Sequence, residues 1–221
     1  MAKQKRSLKH SLNFLLVAAI IIVCAAAAAL FLGYALFPSS RETRFQAAAV
    51  SDSGEGVIVD FALRSRPGNG ALLINVENAE WRADAEKSFR ASREHAENFL
   101  GVPLSNRDYE LELRSREGGV EGESAGAAFA IAIIANYLNA EPRSDAIVSA
   151  ALDSENSSNE ALLPIGGAEE KILAAAQAGK RVFVVAQDQT LKYEGELARR
   201  IQVERARTLC EAVQALLRRT S

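Results

Sequence analysis

The spacing of apolar and polar residues divides the chain into an apolar N-terminal stretch and a longer segment of mixed pattern. Residues 14–37 carry no charged side chain and are rich in Leu, Val, Ile, Ala and Phe. About 20 apolar residues suffice for a helix to cross a bilayer core of ~30 Å. The pattern therefore predicts a transmembrane helix at residues 12–37, preceded by a basic tail at 1–11 and followed by a polar linker at 38–45.

Two other interpretations of the apolar stretch compete with an anchor. Small residues at 25–29 would suit a cleaved signal peptide, and Cys24 would be the attachment point of a lipid in a lipoprotein. However, the stretch stays apolar as far as Phe37, well past any such cleavage site. Val23 is also bulky where a small residue usually precedes a lipid-modified cysteine. Both observations favour an uncleaved anchor.

Charge is distributed unevenly around the predicted span. Four basic residues precede it, against Arg41 and Arg44 just after it, so we expect a cytoplasmic N-terminus and an extracytoplasmic remainder. All 28 acidic residues and 22 of the 26 basic residues follow the span, which gives the remainder a net charge near −6. This acidic balance argues against nucleic acid as a partner.

Residues 46–221 alternate strand and helix patterns and are enough for one domain. Strands are predicted at 56–63, 71–76, 109–113, 146–152, 161–163, 181–186 and 201–203. Helices are predicted at 83–100, 125–138, 168–178, 191–199 and 208–217. The order of these elements predicts an α+β domain with helices packed on a sheet.

The candidate catalytic residues lie at the starts of two predicted helices. Residues 122–126 read Gly-Glu-Ser-Ala-Gly and precede a helix that is apolar nearly all round, whereas residues 163–171 read Leu-Pro-Ile-Gly-Gly-Ala-Glu-Glu-Lys. A serine hydroxyl needs a base to attack, and a lysine is a base only when it is neutral. Apolar residues after Lys171 predict a buried site where desolvation lowers its pKa. Ser124 and Lys171 are therefore a candidate hydrolase dyad.

Other catalytic and metal-binding arrangements have less support. His10 precedes the predicted span, and His95 is expected at the surface or half-buried, so a Ser-His-Asp triad is poorly supported. Two histidines and two separated cysteines do not provide a zinc site, and no cofactor is expected.

Each candidate residue also has an ordinary structural interpretation. Ser124 fits a helix N-cap, Gly166 and Gly167 fit a turn, and Lys171 fits a solvated helix lysine. The combination is less common than any one of these features. Free amides at the helix start would also suit a developing oxyanion.

The two segments resemble the nucleophile and lysine motifs of the Lon protease family, and the similarity continues through residues 172–179. The resemblance covers residues 56–217. It implies a Lon proteolytic-domain fold, of the ribosomal S5 domain 2-like class, with Ser124 as nucleophile and Lys171 as general base. It further implies that Ser149 hydrogen-bonds the lysine, that Glu121 is the acidic residue three positions before the serine, and that copies of the chain assemble into a ring.

The sequence also departs from the family pattern. Family members usually have Asp-Gly-Pro before the serine, whereas this chain has Glu121, Gly122 and Glu123. We expect the carboxylate of Glu123, beside the nucleophile, to raise the pKa of Lys171. No Gly-x-x-x-x-Gly-Lys-[Ser/Thr] phosphate loop occurs in the 221 residues, so the resemblance covers only the proteolytic part of the family.

Three functional hypotheses follow from these patterns. The leading one is a membrane-anchored, ATP-independent endopeptidase that cleaves unfolded or exposed polypeptide segments through an acyl-enzyme. The second is a catalytically weak or inactive Lon-like domain that binds peptides or acts as a membrane-tethered scaffold. The third is a protease that faces the cytosol and partners a separate ATPase.

Overall fold

The computed structural model describes residues 20, 22–26, 40–76, 83–114 and 123–217. The chain divides into two compact units, Met1–Ser39 and Ser40–Ser221. In the first unit, the described residues 20 and 22–26 are helical. Within the described ranges, no helix is long and apolar enough to cross a membrane. The predicted tail at 1–11 and most of the predicted span at 12–37 lie outside those ranges.

The second unit is an α+β domain built on two sheets. A mixed sheet holds β1 (Arg41–Val50), β2 (Gly56–Pro67), β4 (Arg107–Leu113) and β3 (Leu72–Val76), in that spatial order. A parallel sheet holds β5 (Ala146–Val148), β6 (Val182–Ala186) and β7 (Gln202–Ala206). The helices are α1 (Ala83–Leu100), α2 (Gly126–Leu138), α3 (Ala168–Gln177), α4 (Glu194–Leu197) and α5 (Leu209–Leu216). The predicted α+β class is confirmed, but the expectation of one sheet is wrong.

The connections follow the usual rules for the two kinds of strand pairing. β1 and β2 form an antiparallel hairpin with register from Arg41↔Ser65 to Val50↔Gly56, and β4 runs antiparallel to β2. β3 and β4 are parallel, so the chain crosses between them through α1. The parallel strands β5, β6 and β7 are likewise joined through α3 and α4.

The central element is α2, which is buried along residues 126–136 because apolar side chains surround it on every side. Phe129 on this helix packs edge-on against Phe45, Phe61 and Phe89, with ring centroids 6.1, 5.6 and 5.5 Å away. These partners come from β1, β2 and α1. The mixed sheet and α1 therefore hold α2 from two directions, and the start of α2 is a rigid place for a functional group.

The structure corrects the predicted linker at 38–45, because β1 begins at Arg41. Thr43, Phe45 and Ala47 are buried while Glu42 and Arg44 are exposed, which is the period-two pattern of a half-buried strand. The alanines at 47–49 and the charged residues before them concealed this alternation in the sequence.

Three further predictions were too long. The predicted strand at 146–152 ends as β5 at Val148, and the predicted return strand at 161–163 is reduced to isolated bridges, Ala151↔Leu163 among them. Ser149 N still donates to Val184 O of β6 at 3.0 Å, whereas the carbonyl oxygen of Ala150 accepts a hydrogen bond from Ala127 N at 3.1 Å. The predicted helix at 191–199 shortens to Glu194–Leu197.

Candidate active site

Ser124 lies in a 3-10 turn, Glu123–Ala125, that leads directly into α2. No side chain caps the start of α2, so the interpretation of Ser124 as an N-cap is wrong. Its hydroxyl oxygen instead accepts a hydrogen bond from Lys171 Nζ at 2.8 Å. The predicted serine and lysine are thus in direct contact although 47 positions separate them in the sequence.

Lys171 projects from the first turn of α3 into the protein, and only 4% of its surface is exposed. Burial lowers the pKa of Lys171 from 10.5 to about 8, while the charge of Glu170 acts in the opposite direction and raises it. Ser124 Oγ is the only hydrogen-bond partner of the ammonium among the described residues. The predicted desolvation is therefore confirmed, and the interpretation as a solvated lysine is wrong.

The turn before α3 sets the position of the lysine. Gly167 adopts a left-handed conformation with φ of 62°, and its carbonyl oxygen accepts a hydrogen bond from Lys171 N at 3.1 Å. A Cβ atom at Gly167 would lie 2.5 Å from Val50 Cγ2, so β1 packs closely here. At Gly166 a Cβ atom would meet nothing within 4 Å, so close packing requires only the second glycine of the pair.

Two residues that the sequence analysis did not single out also hold this turn. Gln189 is buried; its Oε1 accepts from Ile165 N at 2.8 Å and its Nε2 donates to Ile165 O at 3.1 Å. The carboxylate of Glu169 accepts hydrogen bonds from the backbone amides of Lys192 and Tyr193. The one signal in the sequence is that Gln189 follows the carboxyl end of a parallel strand, where site residues commonly lie.

Ser149 makes a different contact from the one that the family resemblance implies. It follows β5, and its hydroxyl donates to the carbonyl oxygen of Ser124 at 3.2 Å. In the described part of the chain it forms no hydrogen bond with Lys171. Ser149 therefore holds the backbone of the nucleophile turn and leaves the lysine free for the serine hydroxyl.

The carboxylate of Glu123 has a hydrogen-bond partner other than the lysine. It accepts a hydrogen bond from Ser154 Oγ at 3.3 Å. The carboxylate that raises the pKa of Lys171 is Glu170, so the expected effect of Glu123 on the base is wrong. Glu121 and Gly122 lie outside the described residues.

The histidine in the folded unit takes no part in the dyad. His95 is buried, which corrects the expected surface or half-buried position, and its Nε2 lies 2.9 Å from the carbonyl oxygen of Asp153. Across the described ranges, no group of His, Cys, Asp and Glu side chains could hold a metal ion. The chemistry available at the site is that of the serine and the lysine.

Comparison with known proteins is consistent with this geometry. Residues 64–219 match the model of the Lon protease (S16) C-terminal proteolytic domain, which covers more than half of the chain. The chain belongs to this family. Lon proteolytic domains are those of serine proteases with a Ser/Lys dyad, and the recognised family is confirmed at the level of the proteolytic domain.

Individual Lon proteases are also similar to this chain. The Lon protease of Phenylobacterium zucineum (strain HLK1) is 30% identical over 129 residues, which are 57% of this chain and 16% of that protein. The peroxisomal Lon protease homolog 2 of Caenorhabditis elegans is 31% identical over 117 residues, 52% of this chain and 15% of the relative. The archaeal Lon protease of Methanothermobacter thermautotrophicus is 27% identical over 146 residues, which are 64% of this chain and 22% of that protein. The chain thus spans less than a quarter of these relatives' length.

Proposed function

We propose that this chain is a serine endopeptidase in which Ser124 is the nucleophile and Lys171 the general base. The observation that carries the proposal is the 2.8 Å contact between Ser124 Oγ and the buried Lys171 Nζ. With a pKa of about 8, roughly a tenth of the lysine is neutral at pH 7. A neutral amine accepts the hydroxyl proton of the serine, so the hydrogen bond reverses its polarity as attack begins.

The reaction then runs through an acyl-enzyme. Oγ of Ser124 attacks the peptide carbonyl as its proton passes to Nζ of Lys171, and that proton is delivered to the departing amine. Water, deprotonated by the same lysine, hydrolyses the ester and restores the serine. Backbone amides of the turn around Ser124 stabilise the oxyanion, although that of Ala127 is not available because it donates to Ala150 O. The bond from Ser149 to the Ser124 carbonyl orients this turn.

A groove along α2, the helix that follows Ser124, suits an extended substrate. In the described unit β1 pairs only with β2 and β5 only with β6, so each has an edge without a strand partner. A cavity of about 450 Å³ lies between them, and its lining includes Phe45, Ala128, Ile131 and Val148. Ala128 is about one turn of α2, ~6 Å, from Ser124. An extended peptide in this groove would therefore pass the nucleophile, which is why flexible or unfolded segments are the proposed substrates.

The site acts at a membrane and without ATP. The apolar stretch at 14–37 supports a single-pass anchor with the N-terminus cytoplasmic and the proteolytic domain outside. The 221 residues contain no phosphate loop, which supports a cleavage reaction that is not coupled to ATP hydrolysis by this chain. Cleavage of the domain by an added protease in intact cells would support this orientation. A domain protected until the cells are lysed would favour the cytosolic arrangement with a separate ATPase.

The test is hydrolysis of a fluorescently labelled, unfolded protein by the full chain in mild detergent, with and without ATP. We expect ATP-independent cleavage that is lost in both Ser124→Ala and Lys171→Ala. The exposed residues Ser158 and Lys192 supply matched controls, because Ser158→Ala and Lys192→Ala remove the same groups away from the dyad. Activity that persists in both dyad variants would refute the mechanism.

The binding hypothesis is an outcome of the same experiment. Folded wild-type protein that cleaves no faster than Ser124→Ala would favour an inactive peptide-binding or scaffold domain. One reason for that hypothesis was the charge of Glu123 beside the nucleophile and its expected effect on the pKa of Lys171, but the carboxylate accepts a hydrogen bond from Ser154 and Glu170 is the carboxylate that raises this pKa. The structure therefore gives the enzymatic function the stronger support.

A further inference from the structure

Four basic side chains that form no ion pair with any described residue surround a second concave surface of the unit Ser40–Ser221. Lys180, Arg181, Arg199 and Arg200 line this surface, of about 510 Å³, together with Ala198, Ile201, Gln202 and Val203. We call these four residues the basic pocket. By contrast, Arg64 on the mixed sheet is paired and lies 2.9 Å from carboxylate oxygens of both Glu42 and Glu112.

The fold brings these cations together at one edge of the parallel sheet. Lys180 and Arg181 form the turn before β6, and Arg199 and Arg200 belong to the turn before β7. Because β6 and β7 are parallel neighbours, the turns that precede them lie side by side, and Gln202 N donates to Arg181 O at 3.0 Å. Sequence spacing alone does not reveal this cluster.

No ion pair in the described part of the chain neutralises the basic pocket. The ammonium of Lys180 donates to the carbonyl oxygen of Ser144, and none of the four residues forms an ion pair there. Asp145, whose charge interacts with Arg181, is already held by Arg143 through two hydrogen bonds of 2.9 Å. The whole chain has a net charge of −2, so composition does not account for the cluster. Such a concentration of like charge attracts an anionic ligand.

The position of Lys180 connects the basic pocket to the proposed substrate groove. Lys180 also lines the cavity between β1 and β5. Lys171 and Lys180 lie at opposite ends of α3, a helix of ten residues that is ~15 Å long. An extended peptide advances ~3.3 Å per residue, so about five residues cover this distance.

We propose that the basic pocket is an exosite that binds acidic residues of a polypeptide substrate, about five to eight residues from the scissile bond. The proposal rests on the proposed function and names the substrate class. A lipid surface fits less well, because membrane-docking surfaces usually combine basic with exposed apolar side chains. Here Ile201 is buried and Val203 half-buried, and the apolar surface lies along the peptide groove instead.

The first test compares peptides that share one cleavable core, taken from the digest of the unfolded protein. Blocks of acidic, neutral or basic residues are placed five to eight positions from the cleaved bond, on either side. We expect the full chain to cleave one acidic peptide with a kcat/KM at least tenfold higher than that of its neutral counterpart. The difference should come from a lower KM for the acidic peptide. In Arg199→Gln/Arg200→Gln this preference should fall below threefold while cleavage of the neutral peptide is unchanged.

The matched control is Arg66→Gln/Arg90→Gln, which removes the same charge from two exposed arginines of the mixed sheet and α1. It should keep the preference for the acidic peptide. Equal kcat/KM for all peptides, or equal loss of the preference in both double variants, would overturn the exosite. High salt should also reduce the preference, because the contacts are between exposed charges.

A binding measurement separates failure of the exosite from failure of the proposed function. The full chain carrying Ser124→Ala is titrated into a labelled acidic peptide and followed by fluorescence anisotropy. Binding by this variant that needs Arg199 and Arg200, together with a wild-type chain that cleaves nothing, would refute the protease and keep the site. Cleavage by the wild type, with no preference for acidic peptides in either the cleavage or the binding assay, would keep the protease and refute the site. Water-soluble, short-chain phosphatidylserine and unlabelled peptide are then compared as competitors of the labelled peptide. If the phosphatidylserine displaces it at a lower concentration than the unlabelled peptide does, the site would be assigned to a lipid surface instead.

Discussion

Replacement of Lys171 by methionine should make the protein more stable at neutral pH while abolishing its activity. The folded protein binds a proton at this lysine with a pKa of about 8, whereas 10.5 is the ordinary value. Each pH unit of difference corresponds to ~1.36 kcal/mol, so the buried ammonium costs about 3 kcal/mol of folding free energy. Below pH 8 both the folded and the unfolded chain are protonated, and this cost is present in full.

Methionine removes the charge with little change of shape, because both side chains are unbranched and similar in length. It also removes the hydrogen bond to Ser124 Oγ, which contributes about 1 kcal/mol. Water can replace this bond in part, since Ser124 is only half-buried. The net gain at pH 7 is therefore about 2 kcal/mol, or a rise in Tm of about 4–8 °C for a domain of this size.

The sign of the pH dependence gives the decisive check. Between pH 8 and 10.5 the unfolded chain holds more protons than the folded one, so the free energy of unfolding of the wild type rises with pH. The advantage of Lys171→Met should therefore shrink above pH 8 and be gone by about pH 10.5, where only the lost hydrogen bond remains.

Urea unfolding of the full chain at pH 7, 8, 9 and 10 measures this difference directly. Lys192→Met is the matched control, because that lysine is exposed and should show no comparable gain at any pH. If Lys171→Met is no more stable than the wild type at pH 7, the lysine does not carry the desolvation cost. A gain that stays constant up to pH 10 would equally refute the argument.

Three further predictions concern the same site. The kcat/KM for an unfolded substrate should rise about tenfold per pH unit below pH 8 and level off near pH 9, whereas a flat profile would exclude Lys171 as the base. Ser149→Ala should lower kcat several-fold and cost about 1 kcal/mol, because it removes the bond to the Ser124 carbonyl; an unchanged midpoint of the pH profile would confirm that Ser149 does not contact the lysine. Gly56→Ala should cost at least about 2 kcal/mol in urea unfolding, since the new Cβ would lie 2.0 Å from Glu170 O, whereas Gly195→Ala, with nothing within 4 Å, should cost nothing.

The parts of the fold that the sequence predicts well are those governed by local pattern. α1 has its predicted bounds, and α2 and α3 begin or end within one residue of theirs, because helical periodicity and terminal glycines mark them. β1 escaped prediction because its inward residues are small or polar, with Thr43 and Ala47 beside Phe45. Its place in the sheet comes from pairing with β2 and packing on α2, which a local pattern does not contain.

The candidate site shows the same division between residue identity and contact geometry. Composition around Lys171 predicts burial correctly, because a run of apolar neighbours is enough to exclude water. The directions of the Ser149 hydroxyl and the Glu123 carboxylate depend on which elements meet across the site, and both differ from the expectation. A sequence motif predicts which groups a site contains, whereas the tertiary structure determines which partner each group contacts.

The geometry of the proposed dyad therefore also depends on residues outside the two sequence motifs. Proton transfer between Ser124 and Lys171 requires a contact held near hydrogen-bond distance, and a displacement of 1 Å would weaken it severely. The lysine turn is fixed by Gln189, which bonds both backbone groups of Ile165, and by Glu169, which anchors α3 to the segment before α4. These bonds reach across 23 or 24 positions of sequence. The loop after β6 therefore holds the general base in place through the side chains of Gln189 and Glu169, and we expect Gln189→Ala or Glu169→Ala to lower kcat although neither side chain contacts the substrate.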